Sequence, residues 1–90
     1  MKILLYFVVM ITSGDIYQHH KHDPSGLENN YTYKIIDTAF DAEKQEKVVI
    51  YKPLYDCEYK LFTRSRENFL EIIKVNNQKR SRFVKIKSKA

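Results

Sequence analysis

A group of histidines near the start of the chain offers the most evident chemistry. Three imidazoles and one carboxylate follow closely at His19, His20, His22 and Asp23. In an extended segment His20 and His22 point to the same side, and imidazole with carboxylate can bind zinc, copper or nickel. Structural zinc takes four protein ligands, and Cys57 is the only cysteine available to complete a site. We therefore predict no metal site, although His20 and His22 would be the ligands if there were one.

Acid–base or nucleophilic chemistry would need a side chain with a suitable partner. His19 could pair with Glu43 or Glu67, and a hydroxyl nucleophile could come from Thr63 or Ser65. The chain has no glycine-rich phosphate loop, no nucleophile elbow and no metalloprotease motif, and it contains only two glycines. The sequence therefore favours a protein that is not an enzyme, and it predicts no cofactor.

Positive charge is concentrated in the C-terminal third. The formal net charge is +5, but residues 1–57 carry six Lys and eight acidic residues, whereas residues 58–90 carry ten basic and three acidic residues. The two parts therefore have formal charges of −2 and +7. Such an imbalance predicts an anionic partner, such as RNA or another polyanion, and the alternative is a solvated basic tail that aids solubility.

Basic and aromatic residues alternate along this part of the chain, and single-stranded nucleic acid is commonly bound by a cationic groove with an aromatic platform. The basic candidates are Lys60, Arg64, Arg66, Lys79, Arg80, Arg82 and Lys85. The stacking candidates are Tyr17, Tyr55, Tyr59 and Phe62. In the alternative interpretation the aromatic residues fill the core, and Arg64 braces a turn through a salt bridge with Glu67.

The same residues predict one shallow ligand-binding surface, formed by Tyr17, His19, Lys21, Tyr55, Phe62 and Arg64. Nucleic-acid contacts would be added by Lys60, Arg66, Arg80 and Arg82. A groove of the SH3 kind could instead receive an extended or proline-rich peptide, lined by Tyr17, Tyr51, Tyr55 and Phe62. The alternative for His19 and Lys21 is hydrogen bonding to nearby backbone or carboxylates. Nucleic acid is favoured, and a protein or peptide partner stays open.

A single small domain must position these residues, because 90 residues leave no room for a second core. We expect an apolar leader at residues 1–13, one β domain at residues 14–87 and a frayed basic tail at residues 88–90. The apolar run Ile3–Ile11 is too short to span a bilayer, which needs roughly 20 helical residues. It could be an edge strand, a dispensable leader or a signal peptide. The sequence thus predicts no membrane span and a cytoplasmic protein, with export as the alternative.

The run Val48–Tyr55 is the clearest strand. Both of its faces are largely apolar, its residues are β-branched or aromatic, and Pro53 favours a bend or a free edge. It therefore predicts a central, buried strand. An alternating pattern predicts a neighbouring strand over residues 31–38, with Tyr31, Tyr33 and Ile35 on one face.

The rest of the chain predicts further short strands at residues 15–19, 58–63, 72–75 and 82–86. Asn76 and Asn77 favour a tight hairpin turn, because asparagine tolerates positive φ, and residues 82–86 are predicted as the returning strand of this hairpin. Ser65–Val75 fits either a short helical turn followed by a strand or one longer helix. This pattern predicts a mainly β fold: a small SH3-like antiparallel barrel or a curled sheet, with one short helical turn.

An ordered series of short motifs runs through most of the chain. It comprises Tyr17-Gln18-His19-His20-Lys21, Tyr33-Lys34-Ile35-Ile36, Glu43 ahead of Val48–Tyr55, and Leu61-Phe62-Thr63-Arg64 with Glu67 and Phe69. Over residues 14–86 this series resembles the family of small bacterial proteins called domain of unknown function 1653. The resemblance implies a compact β-rich fold and no established activity. The chain departs from the family at Phe62 and Ser65, where a tryptophan and a proline are typical, and at Asp41, where many members have histidine.

Overall fold

The computed structural model describes residues 10–89, which form seven strands and one short helix. In chain order these are β1 (Ile16–His19), β2 (Thr32–Asp41), β3 (Glu46–Pro53), β4 (Phe62–Ser65), α1 (Arg66–Phe69), β5 (Ile72–Val75), β6 (Gln78–Ser81) and β7 (Phe83–Lys87). Five strands form an antiparallel sheet in the order β4-β3-β2-β1-β7, and β5 pairs with β6 as a separate hairpin.

The sheet is open and curled. The mainly β prediction and its curled-sheet form are confirmed, whereas the barrel does not close among the described strands, because β4 and β7 are opposite edges. The chain leaves β4 through α1 and the β5–β6 hairpin before it returns as β7 beside β1. Curling nevertheless brings side chains of the two edges together, since the guanidinium carbon of Arg64 lies 5.2 Å from the ring centre of Phe83.

An aromatic core fills one face of the sheet. Its buried residues on the strands are Tyr17, Tyr33, Ile35, Val49, Tyr51 and Phe83. Helix α1 contributes Phe69, which is fully buried and stacks on Phe83 with ring centres 4.1 Å apart. Phe69 also packs edge-on against Tyr17 of β1 and Tyr51 of β3, so the single turn of α1 contacts three strands of the sheet.

Strand β3 lies inside the sheet, between β2 and β4, as the sequence predicts. Only one of its faces is buried: Val49 and Tyr51 are in the core, whereas Ile50 is half-buried and Lys52 is exposed. The prediction of two packed faces is therefore wrong for one of them. An antiparallel sheet commonly leaves one face solvated, so an apolar pattern on that face does not require a second layer.

The segment after β4 resolves the choice between one longer helix and a short turn with a strand. The shorter alternative is observed, because α1 ends at Phe69 and β5 follows. Ser65 caps the helix: its Oγ accepts a hydrogen bond from the N–H of Asn68 at 3.1 Å. Strand β4 begins at Phe62, four residues later than the predicted start at residue 58.

Asn76 and Asn77 form the predicted hairpin turn, with φ of 50° and 64°. The returning strand of this hairpin is Gln78–Ser81, not residues 82–86. Phe83–Lys87 pairs instead with β1, so the sequence pattern located the last strand but assigned it the wrong partner. Only Arg82 separates β6 from β7, and the alternation of apolar and polar residues does not indicate where one strand ends and the next begins.

The N-terminal end of the described chain contacts the domain. Residues 1–9 of the predicted leader lie outside the described residues, whereas Ile11 packs against the core. Asp15 is buried and accepts hydrogen bonds from the N–H of Lys89 at 2.9 Å and from Nζ of Lys85 at 3.1 Å. The Lys89 hydrogen bond is the main cause of the lowered pKa of Asp15. Within residues 10–89, no helix has the length and apolar character that crossing a membrane requires.

Candidate functional site

A groove of about 480 Å³ lies where the end of β1 meets β6 and β7. We call it the basic groove; its lining residues are Gln18, His19, His20, His22, Lys79, Arg80, Ser81, Val84 and Ile86. None of these residues is acidic. Because side chains alternate along a strand, Val84 points away from the core that its neighbour Phe83 enters. Val84 and Ile86 are each 52% exposed, so the groove combines cationic walls with an apolar floor.

Positive charges surround His20 in this groove. The pKa of His20 is lowered first by burial and then by the charges of Lys21, Arg82 and Arg80. The N–H of His20 donates to the carbonyl of Arg82 at 2.9 Å, which ties the end of β1 to the segment between β6 and β7. Glu71 offsets part of the Arg82 charge through a salt bridge of 3.0 Å. The remaining cations produce a positive potential that attracts anions.

His19 is almost fully buried and neutral. Its ring lies edge-on to Phe83, with ring centres 4.9 Å apart, and its Nδ1 accepts a hydrogen bond from the N–H of Lys21 at 3.2 Å. Burial, followed by the positive charges of His20, Arg64, Lys21 and Arg82, lowers the pKa of His19 from 6.5 to about 4. This contact matches the alternative interpretation of His19 and Lys21, in which they hydrogen-bond to nearby backbone.

Arg64 reaches from the edge strand β4 across the core face. Its Nε donates to the hydroxyl of Tyr51 at 3.2 Å, and its Nη1 donates to Oδ1 of Asn68 at 2.6 Å. The guanidinium also lies over the ring of Phe83. The Glu67 salt bridge of the alternative interpretation is not among these contacts, so Arg64 is held by neutral groups.

The other predicted ligand residues occupy different depths. Tyr17 is only 4% exposed and packs edge-on against Phe69, so it belongs to the core. Phe62 is half-buried and stacks on Tyr51, whose hydroxyl binds Arg64. Tyr55 is also half-buried, and its hydroxyl lies 2.9 Å from that of Tyr33.

The structure therefore brings His19, Phe62 and Arg64 together around the core aromatic residues. Lys21 contributes its backbone N–H to His19, while its side chain is exposed. Tyr55 approaches this group indirectly, through Tyr33 and through Tyr31, whose ring lies beside that of His19. Of the six predicted ligand residues, Tyr17 and His19 are buried, and the other four are half-buried or exposed.

The predicted nucleic-acid residues divide between separate surfaces. Arg80 lines the basic groove, and Arg82 flanks it. Lys60 lies in a second groove of about 550 Å³ together with Tyr55 and Tyr59. Arg66 begins α1 and lines a third groove. Of these residues, only Arg80 and Arg82 therefore lie at the basic groove.

Tyr31, which the alternating pattern placed on one face of the predicted strand with Tyr33 and Ile35, is a surface residue. Strand β2 begins one residue later, and Tyr31 has a positive φ of 54° and is 39% exposed. Its ring centre lies 5.7 Å from that of His19 and 6.4 Å from that of Tyr55. With His20, whose ring centre is 4.4 Å from that of His19, these residues form a row of four rings leading away from the basic groove.

The residues considered as catalytic or metal-binding candidates have other contacts. Ser65 uses its Oγ to cap α1, and Nδ1 of His22 lies 2.7 Å from the carbonyl oxygen of Asn30. Within residues 10–89, no group of three histidine, cysteine or acidic residues is placed to hold a metal ion. His20 and His22 do line the same groove, and their chemistry there is that of hydrogen-bond donors and acceptors.

The fold and the site define a small, mainly β domain with an open curled sheet and a basic groove on its outer face. The chain belongs to the family described as protein of unknown function, DUF1653, whose pattern matches residues 15–85. The family resemblance predicted from the motifs is therefore confirmed. Comparisons with curated proteins and with solved structures gave no match.

Proposed function

We propose that this domain is a non-enzymatic binding module that binds single-stranded RNA, or a similar polyanion, in the basic groove. The observation that supports this proposal best is the composition of the groove: Lys79, Arg80 and three histidines line it, no acidic side chain lines it, and Arg82 flanks it. Neutralisation of phosphates by such residues releases counterions, which drives the binding of nucleic acids.

The row of rings supplies the second requirement of single-strand binding. Tyr31 presents an exposed ring beside His19, at the end of the groove. Bases stack on such rings with little regard to sequence, because every base has a π face. In the proposed complex, phosphates contact Lys79 and Arg80 while a base stacks on Tyr31.

The test is a charge reversal in the groove. The double variant Lys79→Glu with Arg80→Glu alters two exposed side chains of β6, and fluorescence anisotropy with a labelled single-stranded RNA measures its affinity. The matched control is Lys44→Glu with Lys47→Glu, which makes the same change in net charge at exposed positions around the β2–β3 turn. We expect the groove variant to lose affinity by about tenfold or more and the control by much less. Equal losses, or no binding of the unaltered protein at low salt, would refute the proposal.

A second variant tests the stacking step. Tyr31→Asn removes the ring but keeps a residue that tolerates positive φ, so the backbone conformation is retained. Alanine substitutions of stacking residues cost about 1–3 kcal/mol per base, and we expect a loss of affinity of about fivefold to a hundredfold. An unchanged affinity would remove Tyr31 from the binding surface and leave only the phosphate contacts.

Peptide binding is a second candidate, at a different surface. The second groove contains Tyr59 and Leu61, which are 60% and 52% exposed, together with Pro53 and Tyr55. It differs from the predicted SH3-type groove, because Tyr17 and Tyr51 are each only 4% exposed. If a labelled proline-rich peptide binds and Tyr59→Ala abolishes this binding, the peptide reading is favoured.

Binding of cellular RNA implies a cytoplasmic protein, which is also part of the proposal. Mass spectrometry of the protein isolated from its native cells tests it, because a mature N-terminus near residue 14 would indicate cleavage of an export signal. Retention of residues 1–13 is the expected result.

A further inference from the structure

The charge of Arg64 has no acidic partner among residues 10–89. Its two hydrogen bonds go to neutral oxygens, those of Tyr51 and Asn68, and the salt bridges in this part of the chain join other residues. A guanidinium has five N–H donors, so three remain for another acceptor. Arg64 is half-buried, which makes an uncompensated cation here more costly than a fully solvated one.

The surroundings hold this guanidinium in a fixed position. Arg64 lies opposite the fully buried Val49 in the β3–β4 ladder. The rings of Tyr51 and Phe83, which the guanidinium contacts, are 4% and 6% exposed. Asn68 belongs to the capped helix α1. Little side-chain entropy is left to lose when a ligand binds, and such preorganisation favours affinity.

His19 places a further donor against the same aromatic ring. Both the His19 ring and the Arg64 guanidinium contact Phe83. Because Nδ1 of His19 accepts the N–H of Lys21, the neutral ring carries its hydrogen on Nε2. Within residues 10–89, Nε2 makes no hydrogen bond of its own. A neutral N–H donor and a cation with unused donors therefore both contact Phe83.

We propose that Arg64 and His19 form a binding site for a phosphate group, as inorganic phosphate or as a phosphate monoester. A tetrahedral phosphate offers more acceptor oxygens to this set of donors than a carboxylate does, and guanidinium binds phosphate in bidentate geometry. The site shares His19 with the basic groove but does not include the groove's cationic residues Lys79 and Arg80. The inference does not depend on RNA binding.

The test follows the His19 ring by NMR. The pKa of His19 is measured in sodium chloride, sodium acetate, inorganic phosphate and phenyl phosphate at equal ionic strength. A bound phosphate anion stabilises the imidazolium, so both phosphates should raise the pKa of His19 relative to chloride, and acetate should not. An increase with phenyl phosphate alone would identify a monoester site, and an increase with inorganic phosphate alone would identify a site for the free ion.

Variants separate Arg64 from general charge effects. Arg64→Gln should weaken phosphate binding by about tenfold or more and remove the pKa increase, whereas Arg64→Lys should retain part of it. The exposed Lys44→Gln is the charge-matched control and should behave like the unaltered protein. Thermal unfolding checks that each variant is folded. The proposal is overturned if the pKa of His19 is the same in phosphate and chloride, if acetate acts equally, or if Lys44→Gln matches Arg64→Gln. RNA binding could persist in each of these cases.

Discussion

His19 shows how burial and neighbouring charge decide the protonation of one residue. Its folded-state pKa of about 4 lies below the ordinary 6.5, so the unfolded chain binds a proton before the folded one does as pH falls. The free energy of unfolding therefore keeps the full contribution of neutral His19 above pH 6.5 and loses it as pH falls towards 4. The full loss is on the order of 3 kcal/mol. Burial and nearby cations shift His20 in the same direction.

Urea unfolding at pH values between 7 and 4 measures this loss. His19→Asn keeps an acceptor for the N–H of Lys21 but cannot titrate, so its unfolding free energy should depend less on pH in that range. If the variant and the unaltered protein have parallel pH profiles, His19 is not the group that titrates.

Phe69 is the single residue on which most of the core depends. It is fully buried, stacks on Phe83 and contacts Tyr17 and Tyr51 edge-on. Phe69→Ala removes a large buried ring and should reduce the free energy of unfolding by about 3–5 kcal/mol. Urea denaturation measures the change. Phe40→Ala, at a position that is 58% exposed, is the control and should cost much less. A small effect at Phe69 would contradict the aromatic core described above.

At the residue scale, the sequence predicted chemical type better than position. Arg64, His19 and Phe62 were candidate ligand residues by type, and the fold brings them together. The core position of Tyr17 was only an alternative prediction and the exposure of Tyr31 was not predicted, because alternation assigns a residue to a face of the sheet but does not show how deeply it is buried. Tyr31 also adopts a positive φ, which is unusual for a bulky residue and is not indicated by its own side chain.

Among the elements, the β5–β6 hairpin matters most for the basic groove, since it carries Lys79 and Arg80. Its two-residue loop has positive φ at both Asn76 and Asn77. A β-branched residue is strained in this conformation, so Asn77→Val should destabilise the hairpin by about 1–3 kcal/mol, whereas Asn77→Gly should be tolerated.

Amide hydrogen exchange in β6 measures this local effect. The Val variant should exchange faster there and should also bind RNA more weakly, because the groove loses an ordered wall. The Gly variant should do neither. Unchanged protection of β6 in Asn77→Val would show that the turn does not hold the hairpin.

The sequence predicted most elements but not all of their partners. The run from Val48 identified an interior strand, and the asparagine pair located a turn. The missing information was long-range: nothing local shows that Phe83–Lys87 pairs with β1 or that β5 and β6 stand apart from the main sheet. Those pairings depend on contacts between residues far apart in the chain, such as Phe69 with Phe83.

Across the whole molecule, the main feature is the uneven distribution of charge along the sequence, which the fold turns into a positively charged groove. The C-terminal excess of basic residues meets His19 of β1 and the two histidines that follow this strand at the basic groove, where Lys79, Arg80, Arg82 and Lys21 contribute cations. If three or four phosphates are neutralised there, the logarithm of the RNA association constant should fall with the logarithm of salt concentration with a slope of about −2 to −3. Anisotropy titrations at several salt concentrations measure it. A slope near zero would exclude a phosphate-based mode of binding.

The most direct measurement is an NMR titration of the isotopically labelled protein with a short single-stranded RNA. We predict that amide shifts concentrate at residues 18–22, at Tyr31 and at residues 78–86, which surround the basic groove. Amides of the β2–β3 turn should shift little, since that turn is not part of the groove. Shifts concentrated at residues 52–61, which include the second groove, or an unchanged spectrum at low salt, would contradict the account.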